Sequence, residues 1–434
     1  MDTIFAHLHR QLDEGNAIRL QGRVLELTGN LLESEGPAGT VGEECELHAA
    51  TGQIYRGEII GFRGRTILSM MTETPVGVRF GDPVIAAGRR PSIKTGPALL
   101  GRVLSATGEP LDGLGSPGGT ASRPVDSSAP EPLTRVPIRD PLGSGVRALD
   151  AFVPCGRGQR LGIFGGSGVG KSTLLGMMVR GTAADVIVMA LVGERGREVG
   201  EFLEVLGEDG LRRAVLVVST SNESPLRRLR APLAATAIAE GFAAEGKNVL
   251  LVVDSLTRFA MAQREIGLAA GEPPTAKGYT PSVLNKLACL VERAGRFRTG
   301  SITAFYTVLM EGDDQQDPVV DTVRSLLDGH IILDRSLAAR GHYPPIAVLD
   351  SLSRLMPAIT TPAHGEKARA LRALLSAHAR SEDLIRIGAY TRGTDPTLDR
   401  AIDHLPALNA FLRQNTADPS SFTQAEQMLL SLPS

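Results

Sequence analysis

The stretch that most constrains the fold is a glycine-rich loop between an apolar run and a helical stretch. Residues 161–173 read Leu-Gly-Ile-Phe-Gly-Gly-Ser-Gly-Val-Gly-Lys-Ser-Thr and contain the pattern G-x-x-x-x-G-K-[ST]. In this pattern backbone N–H groups surround phosphate oxygens, the lysine contacts the β- and γ-phosphates, and the next hydroxyl reaches Mg²⁺. The preceding apolar strand makes a chance glycine loop the weaker interpretation. The residues expected to bind nucleotide phosphates are Gly165, Gly166, Ser167, Gly168, Val169, Gly170, Lys171, Ser172 and Thr173.

Length and charge narrow the class of protein. A chain of 434 residues is long enough for two or three domains. Lys and Arg number 46 and Asp and Glu number 48, so charge gives no reason to expect a nucleic acid as partner. The three cysteines have no paired spacing, which favours a reducing cytoplasm, and we find neither a signal peptide nor an apolar run long enough to span a bilayer.

The distribution of strand and helix patterns predicts several regions. Residues 1–17 include an amphipathic helix at 3–13, which either packs on its own domain or is disordered, or docks on a partner. Short alternating runs indicate a β-barrel domain over 18–90, with strands at 18–27, 44–49, 53–61, 65–71 and 83–87. Residues 113–145 are rich in Gly, Pro and Ser, as in a linker or an irregular surface excursion.

The rest of the chain predicts a parallel α/β domain followed by helices. Strands alternate with helices through a parallel α/β domain, which we place at 91–356, and a helical domain occupies 357–434. The predicted strands are 160–164, 185–192, 214–219, 248–253, 301–309 and 330–334. The predicted C-terminal helices are 364–380, 398–413 and 422–432, the last opened by a capping box.

Acidic residues follow two of the predicted strands. Asp254 ends the run Val249–Val253, where a parallel sheet places its ligand crevice, so we expect it to hold Mg²⁺ through water rather than only to cap a helix. Glu194 follows the strand at 185–192 and is a candidate to orient or deprotonate an attacking water. Arg195 is a candidate to hold the phosphates. The alternative is that the charged residues at 194–198 only form a solvent-exposed surface. Arg258 either faces the same pocket or forms a structural ion pair.

Several longer motifs carry a family resemblance. Gly-Glu-Arg-Gly-Arg-Glu at 193–198, Val-Asp-Ser-Leu-Thr-Arg at 253–258 and Tyr-Pro-Pro-Ile-Ala-Val-Leu-Asp-Ser-Leu-Ser-Arg at 343–354 resemble the catalytic subunits of rotary F/V-type ATPases. Residues 271–279 and 304–318 are more specific and resemble the type III export ATPases. Within that group, Glu-Gly-Asp-Asp-Gln-Gln-Asp-Pro at 311–318 is most similar to the flagellar branch.

The resemblance implies an α/β RecA-like core (a P-loop NTPase) with an N-terminal β-barrel and a C-terminal helical domain. It implies an ATPase that forms a homohexamer with nucleotide at the subunit interfaces. By the same resemblance Glu194 is the catalytic carboxylate, and Arg354 is an arginine finger that reaches the neighbouring nucleotide. Tyr343 and Tyr390 resemble a pair that sandwiches adenine; from the residues alone both would be ordinary half-buried tyrosines.

The implied partners are a stator-like regulator at the N-terminal helix, a central coiled-coil stalk protein, export substrates with their chaperones, and a membrane export gate. The implied location is the cytoplasm, peripheral to the inner membrane. Three alternatives stay open: an injectisome ATPase, a non-catalytic nucleotide-binding subunit, and an RNA-dependent ring motor. Glu194 argues against the second and the near-neutral charge against the third.

One position departs from the family pattern. Ala347 occupies a site that is usually acidic in the family, seven residues before Arg354. We expect its replacement to loosen hydrogen bonding in that loop without abolishing activity.

Overall fold

The computed structural model describes residues 21–118, 121–310 and 317–433. The predicted helix at 3–13 and most of the motif at 311–318 lie outside the described residues. The strands are β1 (Gln21–Thr28), β2 (Leu31–Glu35), β3 (Glu44–His48), β4 (Ile54–Arg63), β5 (Thr66–Met71), β6 (Pro83–Ala86), β7 (Ser92–Thr95), β8 (Val103–Ser105), β9 (Ala121–Pro124), β10 (Pro141–Leu142), β11 (Cys155–Gly156), β12 (Arg160–Gly165), β13 (Val186–Glu194), β14 (Ala214–Thr220), β15 (Asn248–Asp254), β16 (Gly295–Arg296), β17 (Ser301–Leu309), β18 (Gly329–Ile332) and β19 (Leu352–Ser353).

The helices of the described residues alternate with strands in the middle of the chain and then follow one another. They are α1 (Arg147–Phe152), α2 (Lys171–Gly181), α3 (Gly196–Arg212), α4 (Pro225–Ala244), α5 (Leu256–Ala270), α6 (Pro281–Val291), α7 (Pro318–Leu326), α8 (Arg335–Ala339), α9 (Met356–Ile359), α10 (Pro362–Arg386), α11 (Pro396–Leu412) and α12 (Phe422–Ser431). None of these helices has the length and apolar character needed to cross a membrane.

The first six strands close into an antiparallel barrel in the order β1-β2-β5-β4-β3-β6, with β6 paired back to β1. Alternate residues point inward, as in β3, where Cys45 and Leu47 are buried and their neighbours are not. Closure leaves no free strand edge. The sequence predicted the barrel but missed β2, whose five residues directly follow the turn at Gly29.

The central domain is a nine-stranded sheet in the order β19-β18-β12-β17-β15-β13-β14-β8, with β16 paired to β17. The strands from β18 to β8 pair in parallel, and helices cover them, so their residues are almost continuously buried. The six strands predicted for this domain form its middle. The edge strand β19 was not predicted, because two residues give no periodicity to detect.

The sheet brings the ends of three strands to one rim. In the parallel registers Gly165 of β12 lies opposite Leu309 of β17, and Leu191 of β13 lies opposite Asp254 of β15. Glu194 ends β13 three residues later. The glycine-rich loop and two carboxylates therefore meet at the carboxyl edge of the sheet, where open α/β sheets bind ligands.

The barrel contacts the central domain along α4. The hydroxyl of Ser224, just before the helix, donates to the carbonyl of Thr72 at 2.8 Å. Arg230 is buried in this contact and binds the Glu58 carboxylate of β4 at 2.9 Å. A buried guanidinium needs such a partner, since an unpaired buried charge costs about 3–5 kcal/mol.

The C-terminal helices α10, α11 and α12 pack on the opposite side of the α/β domain, around α1. The His364 Nε2 lies 2.9 Å from the carbonyl of Ala151, and Gln414 Nε2 donates to the carbonyl of Gly145 at 2.8 Å. The predicted capping box is present, with Ser421 and Gln424 satisfying each other's backbone N–H groups.

Candidate active site

The glycine-rich loop wraps between β12 and α2. Gly168 and Gly170 have φ of 75° and 106°, in the left-handed region that favours glycine. Val169 between them is buried and anchors the loop in the core, whereas Ser172 and Thr173 lie exposed on the first turn of α2. Backbone N–H groups and a helix N-terminus thus share one concave rim, which favours an anion.

Lys171 lies between the two strand-end carboxylates. Its Nζ is 2.5 Å from Asp254 Oδ1 and 3.9 Å from Glu194 Oε1. Asp254 also accepts a hydrogen bond from Thr307 Oγ1 at 2.7 Å, and only 4% of this aspartate is exposed. The lysine and the hydroxyl compensate for burying the carboxylate.

Glu194 titrates far from the range of an ordinary glutamate. Burial raises its pKa to about 7, helped by a hydrogen bond with Glu198 and by the charge of Asp254, while Lys171 acts in the opposite direction. The same hydrogen bond lowers the pKa of Glu198. A carboxylate with a pKa near 7 suits proton transfer at neutral pH.

Two arginines lie beside Glu194. Arg195 is exposed, with its Nε 4.0 Å from Glu198 Oε1. Arg258, on the first turn of α5, packs its side chain against Gly193, where an added Cβ would lie 3.3 Å from its Cδ. The buried Nε of Arg258 has no hydrogen-bond partner within the part of the chain that the structure describes. Its guanidinium is therefore not committed to a structural ion pair there.

Arg354 lies at the edge of the sheet, immediately after β19. Its backbone N–H donates to the carbonyl of Asp328 at 2.9 Å, which fixes the main chain. Its side chain is exposed, and the described residues offer its guanidinium no hydrogen bond or ion pair. The structure does not bring Arg354 together with Lys171 in the same chain.

The two tyrosines have different surroundings. Tyr343 is 45% exposed, and its Cε1 lies 3.8 Å from where a Cβ on Gly170 would be, so it borders the glycine-rich loop. The hydroxyl of Tyr390 lies 2.9 Å from Asp399 Oδ1 and 3.1 Å from the carbonyl of Asp395, both near the start of α11. The hydroxyl of Tyr390 is therefore bound to residues near the start of α11, and its described hydrogen bonds include none with Tyr343.

The segment around Ala347 keeps a set of main-chain hydrogen bonds. Ala347 is buried, its N–H donates to the carbonyl of Ile332 at 2.9 Å, and its carbonyl accepts from Ser351 Oγ at 2.7 Å. These bonds do not depend on an acidic side chain at this position.

Sequence reasoning missed two side chains of this site. Thr307 binds Asp254 across neighbouring strands, and that contact depends on the register of β17 against β15. Glu198 lies within the charged motif at 193–198, but no role was predicted for it. Glu198 lies on the first turn of α3 whereas Glu194 ends β13, so their contact depends on the turn between strand and helix, and no regular spacing in the sequence signals it.

The fold and the site define a P-loop nucleotide hydrolase with a RecA-like core. Residues 145–353 match the ATP synthase alpha/beta family, nucleotide-binding domain, and residues 360–431 match the T3SS EscN ATPase C-terminal domain.

Full-length relatives are also similar. The flagellum-specific ATP synthase of Bacillus subtilis is 50% identical over 414 residues, covering 95% of this chain and 94% of the relative. The type 3 secretion system ATPase of Xanthomonas euvesicatoria is 47% identical over 428 residues, covering 98% and 97%. The structure of the assembled ATPase EscN from enteropathogenic E. coli superposes with a TM-score of 0.90 at 42% identity, covering 95% of this chain and 99% of that one. The chain belongs to the type III export ATPases, and it is an ATPase.

Proposed function

We propose that this chain is the ATPase of a flagellar type III export apparatus and hydrolyses ATP at sites completed between identical subunits. The observation that carries the catalytic part is the meeting of Lys171, Glu194 and Asp254 at one rim of the sheet. A cation for phosphate, a carboxylate with a raised pKa and a second carboxylate are the groups that phosphoryl transfer to water requires.

Phosphate binding would release Lys171 from its carboxylate neighbours. The loop N–H groups and the N-terminus of α2 would bind phosphate oxygens, and the Lys171 ammonium would turn from Asp254 to the β- and γ-phosphates. Arg195 and Arg258 lie beside Glu194 and would neutralise charge that develops on the transferred phosphoryl group.

The residues present fit a magnesium ion held jointly with the nucleotide. Ser172 offers a hydroxyl, and the Asp254 carboxylate would bind the ion through water; hard oxygen ligands of this kind suit Mg²⁺. The described residues contain no group of three or more His, Cys, Asp or Glu that could hold a metal alone, so phosphate oxygens would complete the shell. The bound ion would supply charge neutralisation between the β- and γ-phosphates.

Glu194 would take the proton of the attacking water. Its carboxylate form accepts the proton as the water oxygen attacks the γ-phosphorus and the bond to the β-phosphate oxygen breaks, leaving ADP and phosphate. A non-catalytic nucleotide-binding subunit would not need a half-buried carboxylate at this point.

The other half of the site would come from a second copy of the chain. Arg354 is exposed and unpaired among the described residues, as expected for a finger that inserts beside a neighbour's γ-phosphate. Tyr343 would stack on the adenine from within the same subunit, where it borders Gly170. We extend the adenine site to Tyr390 as a proposal.

The assembly proposed is a homohexamer that surrounds a central coiled-coil stalk protein. The related structures are of assembled EscN and of EscN in complex with its central stalk EscO, which supports a ring and a stalk here. The further partners proposed are a stator-like regulator at residues 3–13, export substrates with chaperones, and a membrane export gate. The proposed location is cytoplasmic, at the inner membrane.

A virulence-type injectisome ATPase is the second candidate, with the same chemistry and different cargo. Relatives of both names match over nearly the whole chain, at 50% identity for a flagellar one and 47% for a secretion one. Deleting the gene separates the two candidates: loss of flagellar filaments supports the first, and normal filaments with lost effector secretion support the second.

The catalytic proposal is tested with Glu194→Gln. This variant keeps the shape of the site but removes the base, so we expect ATP binding to persist while the hydrolysis rate falls about 10²–10⁴-fold. The control is Glu201→Gln, an exposed residue on α3 that pairs with Arg197 at 3.3 Å. Substantial turnover by Glu194→Gln, measured as phosphate release, would contradict the assignment.

A further inference from the structure

Arg372, on α10 of the C-terminal helices, contacts the segment that carries Arg354. Its Nη1 donates to the carbonyl of Val348 at 2.6 Å, and its Nη2 donates to the carbonyl of Ser351 at 3.1 Å. Nη2 also donates to the carbonyl of Phe152, at the end of α1, at 2.8 Å. One guanidinium therefore joins α10, α1 and the segment at 348–351.

The contact fixes the path of the main chain and does not neutralise a charge. All three acceptors are backbone carbonyls, and no carboxylate within the described ranges lies at ion-pair distance from Arg372. The guanidinium also lies over the Phe152 ring, 5.9 Å from its centroid, which holds it in place by a cation–π interaction. Its planar fork gives the hydrogen bonds defined directions.

The sheet holds the same segment from the other side. The Nε2 of His330 in β18 lies 3.0 Å from the carbonyl of Asp350, and the hydroxyl of Ser351 accepts a hydrogen bond from the N–H of Ile332 at 2.9 Å. The segment is thus bound between the edge of the sheet and α10, and its backbone has little freedom.

Arg354 lies three residues after Ser351. Its backbone is held by a hydrogen bond, whereas its side chain is exposed. Its N–H is bound to Asp328, while its guanidinium is exposed and has no partner among the residues described. A finger of this kind depends on where its backbone is held, because displacement of about 1 Å at a reacting centre costs up to about 10²-fold in rate.

We propose that Arg372 is a positioning residue that sets the place of Arg354 and ties it to the C-terminal helices. The proposal rests on the proposed role of Arg354 at a neighbour's nucleotide. A shift of α10 would move the carbonyls of Val348 and Ser351 and, with them, the backbone that presents the finger.

The test is Arg372→Gln in the full-length protein, with ATPase activity measured per assembled ring. Glutamine cannot reach three carbonyls, so we expect kcat to fall about 10- to 100-fold while KM for ATP changes less than about threefold. Arg369→Gln is the matched control, since Arg369 is on the same helix, exposed, and bonds only to Gly365 of its own turn at 3.3 Å. Arg372→Lys keeps the charge without the fork, and we expect an intermediate kcat.

The double variant with Arg354→Ala separates this proposal from the function on which it rests. If Arg372 acts through Arg354, adding Arg372→Gln to Arg354→Ala lowers kcat no further; a multiplied loss would overturn the positioning role. Unchanged kcat per ring in Arg372→Gln or Arg372→Lys, even with a lower melting temperature, would overturn it too. A full rate in Arg354→Ala alone would instead reject the finger.

Discussion

Three side chains of opposite charge, Lys171, Glu194 and Asp254, form a cluster at the site. The ammonium of Lys171 is 2.5 Å from one carboxylate and 3.9 Å from another, in surroundings where a single buried charge would be costly. A nucleotide brings its own negative charge and thus replaces an existing ion pair. On the proposed mechanism Lys171 would serve both binding and catalysis, and its ammonium lies near both strand ends.

Arg354→Ala tests the arginine at the edge of the sheet. Because the side chain has no partner among the described residues, its removal should leave folding unchanged, and the melting temperature should shift little. Hydrolysis per assembled ring should slow by about 10³-fold or more, as for other arginine fingers. Phosphate-release assays on isolated rings measure this, and an unchanged rate would refute the role.

Glu198→Gln tests the cause of the pKa of Glu194. On the proposed mechanism the carboxylate of Glu194 is the active form, so kcat/KM should rise with pH through about 7. Burial is the main cause of the raised pKa, and the hydrogen bond with Glu198 adds to it. A glutamine at 198 donates to the Glu194 carboxylate instead, which favours the charged form, so the midpoint of the profile should move to lower pH. A pH–rate profile that keeps its midpoint would contradict this account, and Glu201→Gln again serves as the control.

The sequence predicted that Lys171 and Asp254 lie at one rim of the sheet. Lys171 belongs to a phosphate-binding motif, and Asp254 follows a predicted parallel strand, where open α/β sheets bind their ligands. It could not predict that Thr307 holds Asp254, since this contact requires the register of two strands 53 residues apart. It also could not place Tyr390, whose partners Asp395 and Asp399 are set by the local path of a loop. Residues that belong to a sequence motif were predictable, whereas contacts set by strand register or by the path of a loop were not.

At the level of elements, the short helix α1 joins the α/β domain to the C-terminal helices and buries a carboxyl. Asp150 is fully buried; its Oδ1 accepts the N–H of Ser144 at 2.9 Å, while its Oδ2 has no partner within the described chain. Burial raises its pKa to about 7, against the hydrogen bonds from Ser144 and Gly145. The folded state therefore binds a proton more tightly at Asp150 than the unfolded state does.

Asp150→Asn should remove a pH dependence of stability. With a folded pKa raised to about 7, the stabilisation from this group is present at lower pH and is lost as pH rises through that value. Between pH 6 and 8 the free energy of unfolding should fall by about 1 kcal/mol. Urea unfolding at both pH values measures it; the asparagine keeps an acceptor for Ser144 and should show a smaller difference. An identical slope in both proteins would contradict the assignment.

Elements with a signal in adjacent residues were predicted, whereas short strands that depend on pairing were harder to predict. The capping box at Ser421 predicted the start of α12 correctly, because four adjacent residues define this cap. The strand β2 was missed, and the edge strands β8 and β19 acquire their structure only by pairing with strands from elsewhere in the chain. Their conformation depends on tertiary contacts, so local propensity does not predict it.

At the scale of the whole molecule, the proposed active site needs two chains. ATPase activity per milligram should therefore rise steeply with protein concentration, as rings form, and level off once assembly is complete. Steady-state assays over a dilution series measure this, with light scattering to follow assembly. A specific activity that is constant down to concentrations where only monomers remain would show that one chain forms a complete site.

The free guanidinium of Arg354 also has a genetic consequence. On the proposed assembly, a copy that lacks the cation of Lys171 still lends its finger to the next copy, and a copy that lacks the finger keeps its own phosphate loop. Two alleles that are inactive alone would then complement each other in mixed rings. Either allele expressed beside the wild type would be partly dominant, because each faulty copy places one defective boundary in an otherwise normal ring.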